Sequence, residues 1–301
     1  MTTGSLQQFL AFAQTARHGS FAAAARELGG APSTLAKSVA RLETALGVKL
    51  FHRTTRHVRL TADGERLYHR CERVLAELDD LQSEAAGVRS APAGPLRIDV
   101  SACYGRRFVL PLLADLGQAH PGLVFEVRLH DGIADMVRDG IDVAVRAGPL
   151  DDSTLVARRV DEQQLRLVAS PAYLSRAGTP STIETLAAHA AIVFRLPASG
   201  RNRPWQLRHG RRLLSLHPTP TVQLDDTEAL ADAARLGFGL CQLPDYVVRD
   251  ELAQGTLVEL LPELRPPPMP ISAVMPTGRL VPQRVRVLLQ ALDRLRERAH
   301  P

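Results

Sequence analysis

The chain offers no disulfide framework, no membrane span and no catalytic signature, and each gap removes a class of protein. Its three cysteines, Cys71, Cys103 and Cys241, are odd in number and far apart, which argues against paired disulfides and for a reducing compartment. No stretch approaches the roughly 20 apolar residues that a bilayer span needs. The start, MTTGSLQQFL, has neither a basic n-region nor an apolar h-region, so a cytoplasmic protein with no membrane partner is expected. There is no Gly-x-Ser-x-Gly, no glycine-rich phosphate loop with a lysine, and no His/Cys cluster at metal-ligand spacing. The ten histidines are scattered: His52 and His57 fall in a basic turn, while His189, His209 and His217 read as surface. No enzyme, metal or cofactor is expected. What remains is a globular balance, 45% apolar and 23% charged over 301 residues, enough for two or three domains of about 100–150 residues.

Charge is segregated along the chain. Residues 1–70 hold ten Lys/Arg against four Asp/Glu, a net of +6, and residues 71–93 hold two against five, a net of −3. The rest carries +2, near neutral for its size. A basic head on a near-neutral body points to a polyanion at the N-terminus only, with a merely solvated basic face as the plain alternative.

The head reads as helices. Leu6, Phe9, Leu10, Ala13 and Ala16 recur at helical spacing over 5–17. Gly19 breaks that helix and Ser20 is a good N-cap for a second, whose inner face is Phe21, Ala24, Ala25 and Leu28. Gly29 and Gly30 make a turn, and Pro32 suits the first turn of a third helix with Leu35, Val39 and Leu42 buried. Ser33, Thr34, Lys37, Ser38 and Arg41 then lie on other faces, as a major-groove reader requires. Beyond Gly47, the strand-like anchors Leu50, Val58 and Leu60 flank a basic hairpin tip of Arg53, Thr54, Thr55 and Arg56, placed to meet phosphates as a wing. Ser20 and Pro32, at the two helix starts, complete the expected DNA-facing set.

From Thr61 a new helix begins, with Asp63 in its first turn. Leu67, Cys71, Val74, Leu78, Leu81, Ala85 and Val88 follow spacings of 4, 3, 4, 3, 4, 3, a heptad seam in a polar segment. The narrow seam favours a self-associating helix over one packed on its own domain's core. Two heads on a two-fold axis would read an inverted repeat in duplex DNA. Cys71 reads as a small buried hydrophobe.

The head resembles the LysR-type transcriptional regulators. The family pattern is met by Leu6, Phe9, Gly19-Ser20-Phe21, Ala24-Ala25, Leu28, Leu42-Glu43, Leu46-Gly47, Leu50-Phe51, Arg53, Leu60-Thr61 and Gly64, at many fixed spacings over about 60 residues. Two departures stand where the family usually has serine. Ala31 removes a side-chain N-cap, at a cost of about 1 kcal/mol, and Ala36 removes a phosphate-contacting hydroxyl.

After Pro95 short apolar strands alternate with amphipathic helices. Strands are expected at 96–101, 123–129, 142–146, 165–169, 191–194, 239–243, 257–261 and 271–275. Helices are expected at 108–116, 133–138 and 227–236, and a last one carries Val285, Leu288, Leu289, Leu292 and Leu295. This alternation implies mainly parallel sheets with ligands at the strand C-termini. GPLRI at 94–98, DVAVRAG at 142–148, LVARR at 155–159, ASPAYL at 169–174 and GFGL at 237–240 followed by Leu243-Pro244 resemble the effector-binding part of the same family.

The whole is therefore read as α/β with an N-terminal all-α winged helix-turn-helix and a C-terminal two-lobed effector domain, periplasmic-binding-protein-like (type 2). The DNA-binding domain is expected over 1–61, a dimerising linker helix over 62–92 and the effector domain over 93–301. The resemblance implies one lobe of 93–163 plus 269–301, another of 164–268, and a cleft between them that holds a small-molecule inducer. Carried over by position, the cleft residues are Ser101, Ala102, Cys103 and Tyr104; His130, Asp131 and Gly132; Arg146 and Gly148; and, from the far lobe, Phe194, Asp225, Asp226 and Phe238. A helix N-terminus behind Tyr104 would offer donors to an anion. The family often has serine at His130 and arginine at Gly132, so this pocket should differ from the common one. The resemblance also implies a bacterial regulator, a homodimer that pairs into a homotetramer, and contact with RNA polymerase. Two other readings were weighed: an enzymatic or solute-binding body, which lacks a catalytic set or export signal, and a thiol sensor at Cys103, whose sole distant partner is Cys241.

Overall fold

A computed structural model describes residues 5–53, 58–85, 91–132, 135–136, 138–148, 155–276 and 281–299. It divides into two compact units, Met1–Ala91 and Pro92–Pro301.

The first unit is α1 (Leu6–His18), α2 (Phe21–Glu27), α3 (Pro32–Leu46), the antiparallel pair β1 (Phe51–Arg53) and β2 (Val58–Leu60), and α4 (Ala62–Ala85). Its core gathers Phe12, Ala24, Ala25, Leu35, Val39, Leu42, Leu50 and Phe51. The Phe51 ring lies 5.3 Å from Phe12 and 6.0 Å from Phe21, centroid to centroid. Leu28, expected inside, is exposed because α2 ends one residue before it.

Glu43 fastens α3 to β1. Its carboxylate is buried, and Oε1 accepts the amides of Leu50 at 2.9 Å and Phe51 at 3.3 Å, while Oε2 meets the Lys49 ammonium at 3.4 Å. Thr61 closes the other side: its hydroxyl donates to the Lys49 carbonyl at 2.6 Å and accepts the Gly64 amide at 3.0 Å, capping α4. Gly64 itself is required by proximity, since a Cβ there would stand 2.1 Å from the Leu50 carbonyl oxygen.

The expected seam on α4 divides in two. Leu67 and Cys71 pack into the head's own core, with Tyr68 and Leu75 beside them. Burial pushes the Cys71 thiol up to about 11, so it acts as a small hydrophobe. Val74, by contrast, is 51% exposed, and Leu78 is half-buried. The side chains of Leu81 and Ala85, and all of Val88, lie outside the described residues.

In the second unit the chain runs β3 (Gly94–Val100), α5 (Ala102–Tyr104), a π-helical turn (Gly105–Val109), α6 (Leu110–Ala119), β4 (Leu123–Leu129), β5 (Val143–Ala147), β6 (Leu155–Gln163) and β7 (Leu165–Ala169). It continues through α7 (Pro171–Ala177), β8 (Ala191–Phe194), the hairpin β9 (Trp205–His209) and β10 (Arg212–Leu216), β11 (Pro220–Leu224), α8 (Thr227–Arg235), β12 (Leu240–Pro244), α9 (Asp245–Ala253), β13 (Val258–Leu260), β14 (Met269–Pro276) and α10 (Gln283–Ala299). Two five-stranded sheets result, ordered β4-β3-β5-β14-β6 and β11-β8-β12-β7-β13.

The sheets are mixed, not mainly parallel. Pairs β3/β4, β3/β5, β8/β11 and β8/β12 are parallel, while β14 pairs antiparallel with β5 and β6, and β7 does so with β12 and β13. The reason is connectivity. Parallel neighbours need a crossover that returns to the same sheet end, whereas β7 and β14 enter their sheets from the other lobe. Strand β6 escaped the sequence reading because its first half, with two arginines, is solvent-facing. The expected helix at 133–138 is turn where it is described, at 136 and 138; residues 133, 134 and 137 lie outside the described residues. The helix expected at 108–116 starts at Leu110, after the π-helical turn. At that turn a Cβ on Gly105 would lie 2.4 Å from Leu129 Cδ2, so only glycine lets β4 come so close.

The two crossing segments are tied to each other. Gln164 donates from Nε2 to the Pro266 carbonyl at 2.8 Å, and its backbone exchanges hydrogen bonds with Asp245, N to Oδ1 at 3.2 Å and O from N at 2.8 Å.

Replacing Glu43 by alanine strands two buried amides, each worth about 1–3 kcal/mol. Denaturant unfolding of Glu43→Ala should show the transition of the first unit at clearly lower denaturant, with that of the second unit unmoved.

Candidate nucleic-acid interface and ligand cleft

Helix α3 presents two opposed faces. Leu35, Val39 and Leu42 are buried, whereas Pro32, Ser33, Thr34, Lys37 and Arg41 are exposed and Ser38 is half-buried. Residues 33, 37 and 41 repeat at intervals of four, so they align along one side. The helix carries one acid, Glu43, and that acid is turned inward. Its outer face is therefore hydroxyl-bearing and cationic without a compensating charge. Ala31 provides no side-chain cap, but Pro32 has no N–H to satisfy and the Thr34 and Leu35 amides donate to the Ala31 carbonyl at 3.0 and 3.3 Å. Ser20 is engaged elsewhere: its hydroxyl accepts the Ala23 amide at 3.4 Å as the cap of α2. Thr54, Thr55 and Arg56 lie outside the described residues, as does the Arg53 side chain.

In the second unit, the first lobe builds a charged floor below the ends of β3 and β5. Asp99 is fully buried. Arg146 pairs with one of its oxygens and donates to the His130 carbonyl at 3.1 Å. His130 Nε2 lies 2.6 Å from the other oxygen, and His130 Nδ1 accepts the Gly132 amide at 3.0 Å. The contact of Nε2 with that Asp99 oxygen is close but makes no hydrogen bond. Burial draws the Arg146 guanidinium down to about 10, still cationic at neutral pH. Thus His130, Gly132 and Arg146 come together around an acid that sequence reasoning missed. Its signal was an acid in the middle of a buried strand, two residues after Arg97.

Asp131 joins the lobes. One oxygen accepts the Ala102 amide at 3.2 Å, and the other accepts the Thr227 hydroxyl of the second lobe at 3.1 Å. Arg106 pairs with Glu228 beside it. The helix start expected to hold an external anion thus already holds the protein's own carboxylate. Burial raises the Asp131 pKa above its ordinary value.

The remaining expected residues scatter by role. Ser101 precedes α5, half-buried, and Ala102 is buried. Cys103 is buried and its thiol is pushed up to about 11, mainly by that burial; Cys241 is buried too, and both thiols are free. Tyr104 is core: its hydroxyl donates to buried Asp161 at 2.8 Å, and its ring stacks on Phe108 and Tyr246 at 4.8 and 5.6 Å. Gly148 donates its amide to the Pro270 carbonyl at 2.9 Å, joining β5 to β14. Phe194 is buried beneath Arg203, whose guanidinium lies 4.3 Å from the ring centroid. Asp226 caps α8 through the Ala229 amide at 2.8 Å, while Asp225 is exposed. Phe238 projects outward on the turn after α8, 51% exposed. A narrow crevice lined by Phe194, Arg203, Trp205, Thr227, Leu230 and Gln242 has only about 20 Å³ of free space, room for about one water. Among the described residues no His/Cys/Asp/Glu group is placed to hold a metal, and no helix is long and apolar enough to cross a membrane.

Comparison with known proteins bears on both units. Residues 6–65 match the family described as bacterial regulatory helix-turn-helix protein, lysR family, and residues 89–296 match the LysR substrate binding domain. The HTH-type transcriptional regulator CrgA of Neisseria meningitidis serogroup C (strain 8013) is 32% identical over 301 residues, covering 97% of each chain. The solved structure of CrgA, a LysR-type transcriptional regulator, is similar at a TM-score of 0.61 and 32% identity, over 98% of this chain and 99% of that one. The full-length Vibrio cholerae virulence activator AphB is similar at a TM-score of 0.59 and 25% identity, over 96% and 98%.

Asp131→Asn keeps an acceptor while removing the buried charge. Because the folded pKa is raised, the stability linked to Asp131 is complete below its unfolded value of about 4 and is lost as pH rises through the higher folded value. The variant should therefore melt above wild type at pH 7, and the gap should close as pH falls toward 4. Thermal unfolding across that range reads it directly.

Proposed function

We propose that this chain, which belongs to the lysR family of bacterial regulatory helix-turn-helix proteins and is a DNA-binding transcription regulator with an effector-binding domain, acts as a cytoplasmic homodimer on inverted-repeat operators. Each α3 enters a major groove, with Ser33, Thr34, Lys37, Ser38 and Arg41 toward the DNA and Pro32 at its leading end. Ser20 stays nearby as the cap of α2, and the tip Arg53, Thr54, Thr55 and Arg56 lies along the flanking phosphates. The observation that carries this reading is the outer face of α3, cationic and free of acid because its one carboxylate is spent inside the fold.

Pairing uses the outer part of the α4 seam, Val74, Leu78, Leu81, Ala85 and Val88, since Leu67 and Cys71 are consumed by the head's core. Pairs of dimers form tetramers, and RNA polymerase is met at the promoter. A small-molecule inducer enters the inter-lobe cleft near Ser101, Asp131, His130, Arg146 and Phe194, and displaces or reinforces the Asp131 bridge. It shifts the lobes only through unequal affinity for their open and closed arrangements. The family consists of regulators, and this chain is read as one of them and not as an enzyme. A thiol switch at Cys103 finds no support, because a buried thiol held protonated is inert.

Val74 is exposed in the single chain, so a charge there costs the isolated fold little. Val74→Glu with Leu78→Glu should convert the dimer to monomer by sedimentation and weaken operator binding by about 100-fold or more, through loss of avidity. A variant that remains dimeric at the same concentration contradicts the assignment of the seam.

A further inference from the structure

The near-neutral charge of the body conceals a block of one sign. Between residues 185 and 224 stand six arginines and three histidines, with no aspartate or glutamate among them. Four of these side chains, Arg195, Arg201, Arg203 and His217, line one open depression of about 510 Å³ together with Asn202 and Gln223, and no acid lines it. Pockets of this size take small organic molecules rather than bare ions.

Its place in the fold is a favoured one for ligands. The parallel strands β8 and β11 end at Phe194 and Leu224, and the loop that carries the arginines springs from the end of β8, where such sheets bind ligands. Backbone bonds hold that loop: the Arg195 amide donates to Leu224 O at 2.7 Å, the Arg203 amide donates to Phe194 O at 2.8 Å, and Arg195 bridges antiparallel to Asn202.

Among the described residues, the side chains of Arg201, Arg203 and His217 make no hydrogen bond or ion pair. Arg203 is the informative one. Its side chain is exposed to water, and the protein around it holds its pKa below the ordinary value. It rests on the Phe194 ring, and the nearby Asp131 is already committed to Ala102 and Thr227. An exposed guanidinium fixed over an aromatic ring, with no acid lining its depression, is free to meet an incoming oxyanion. A solubilising surface intersperses both signs on a convex face; this one is concave and single-signed. The helix starts of the cleft cannot serve an external anion, because Asp131 and Asp226 already occupy them.

We infer that this depression is an anion site, holding one carboxylate or phosphate group of a small organic acid with Arg203 as its central donor and Arg195, Arg201 and His217 around it. The inference deepens the effector reading by giving the ligand a charge, and depends on that reading only for its consequence on DNA. A planar guanidinium fork suits either oxyanion.

The chain's one tryptophan reports on the site. Trp205 is buried two residues past Arg203 and lines the adjoining crevice. Full-length protein at constant ionic strength is titrated with succinate, benzoate, inorganic phosphate and neutral succinamide while Trp205 fluorescence is followed. The site predicts a saturable change with an anion and none with succinamide, weakened by about tenfold or more in Arg203→Gln and also in the exposed variant Arg201→Gln. Saturation by a carboxylate alone assigns an organic acid, and by phosphate alone a phosphorylated ligand. No saturable response to any of the anions, an equal response to succinamide, or unchanged affinity in both variants overturns the site. Binding of Arg203→Gln to the DNA upstream of its coding region is scored in parallel. If neither wild type nor variant binds that DNA while the anion response stands, the regulator reading fails and the site survives.

Discussion

One carboxylate bridges the two lobes of the second unit. Asp131 accepts from Ala102 on one side and Thr227 on the other, and the two segments that cross between the sheets are tied through Gln164. Each bond is modest, roughly 1 kcal/mol net, and the buried charge offsets part of it. A ligand with a differential affinity of a few kcal/mol can redistribute such lobes, whereas a cleft sealed by apolar packing alone would resist it. The crevice beside Thr227 has little more than a water's volume.

The first unit depends on the opposite use of a buried acid. Glu43 is fixed, paired with backbone amides that have nowhere else to turn, and this holds the third helix against the base of the wing. It also clears the outer surface of α3 of negative charge. The same residue thus satisfies donors inside the fold and leaves the outer face of α3 with serine, threonine, lysine and arginine but no acid.

Much of this was legible in residue order. Helical spacing located α1, α2 and α3 and the start of α4 to within a residue or two, because the apolar stripes are clean and their ends are marked by glycine, serine, proline or threonine. The heptad reading was ambiguous from the start: Leu67 and Cys71 serve a domain core with the same spacing a coiled coil would use, and periodicity alone carries no information about which partner fills it. Strand polarity was misjudged because alternation suggests βαβ units, while the direction of β7 and β14 is decided by which lobe the chain arrives from. The cleft was partly legible. His130, Gly132 and Arg146 do converge, but their organiser Asp99 lies in mid-strand. Tyr104 and Phe194 proved to be packing residues, and Asp226 a cap. Arg203 was passed over because a net charge averaged across 208 residues, from 94 to 301, hides a local block.

The account stands on paired heads gripping duplex DNA in a symmetric register. Footprinting full-length protein on the fragment upstream of its own coding region tests this most directly. Two protected half-sites related by a two-fold axis are predicted, with centres about one helical turn apart, roughly 34 Å, and with protection that fades as salt rises. A single asymmetric patch, or no protection at modest ionic strength, would contradict it.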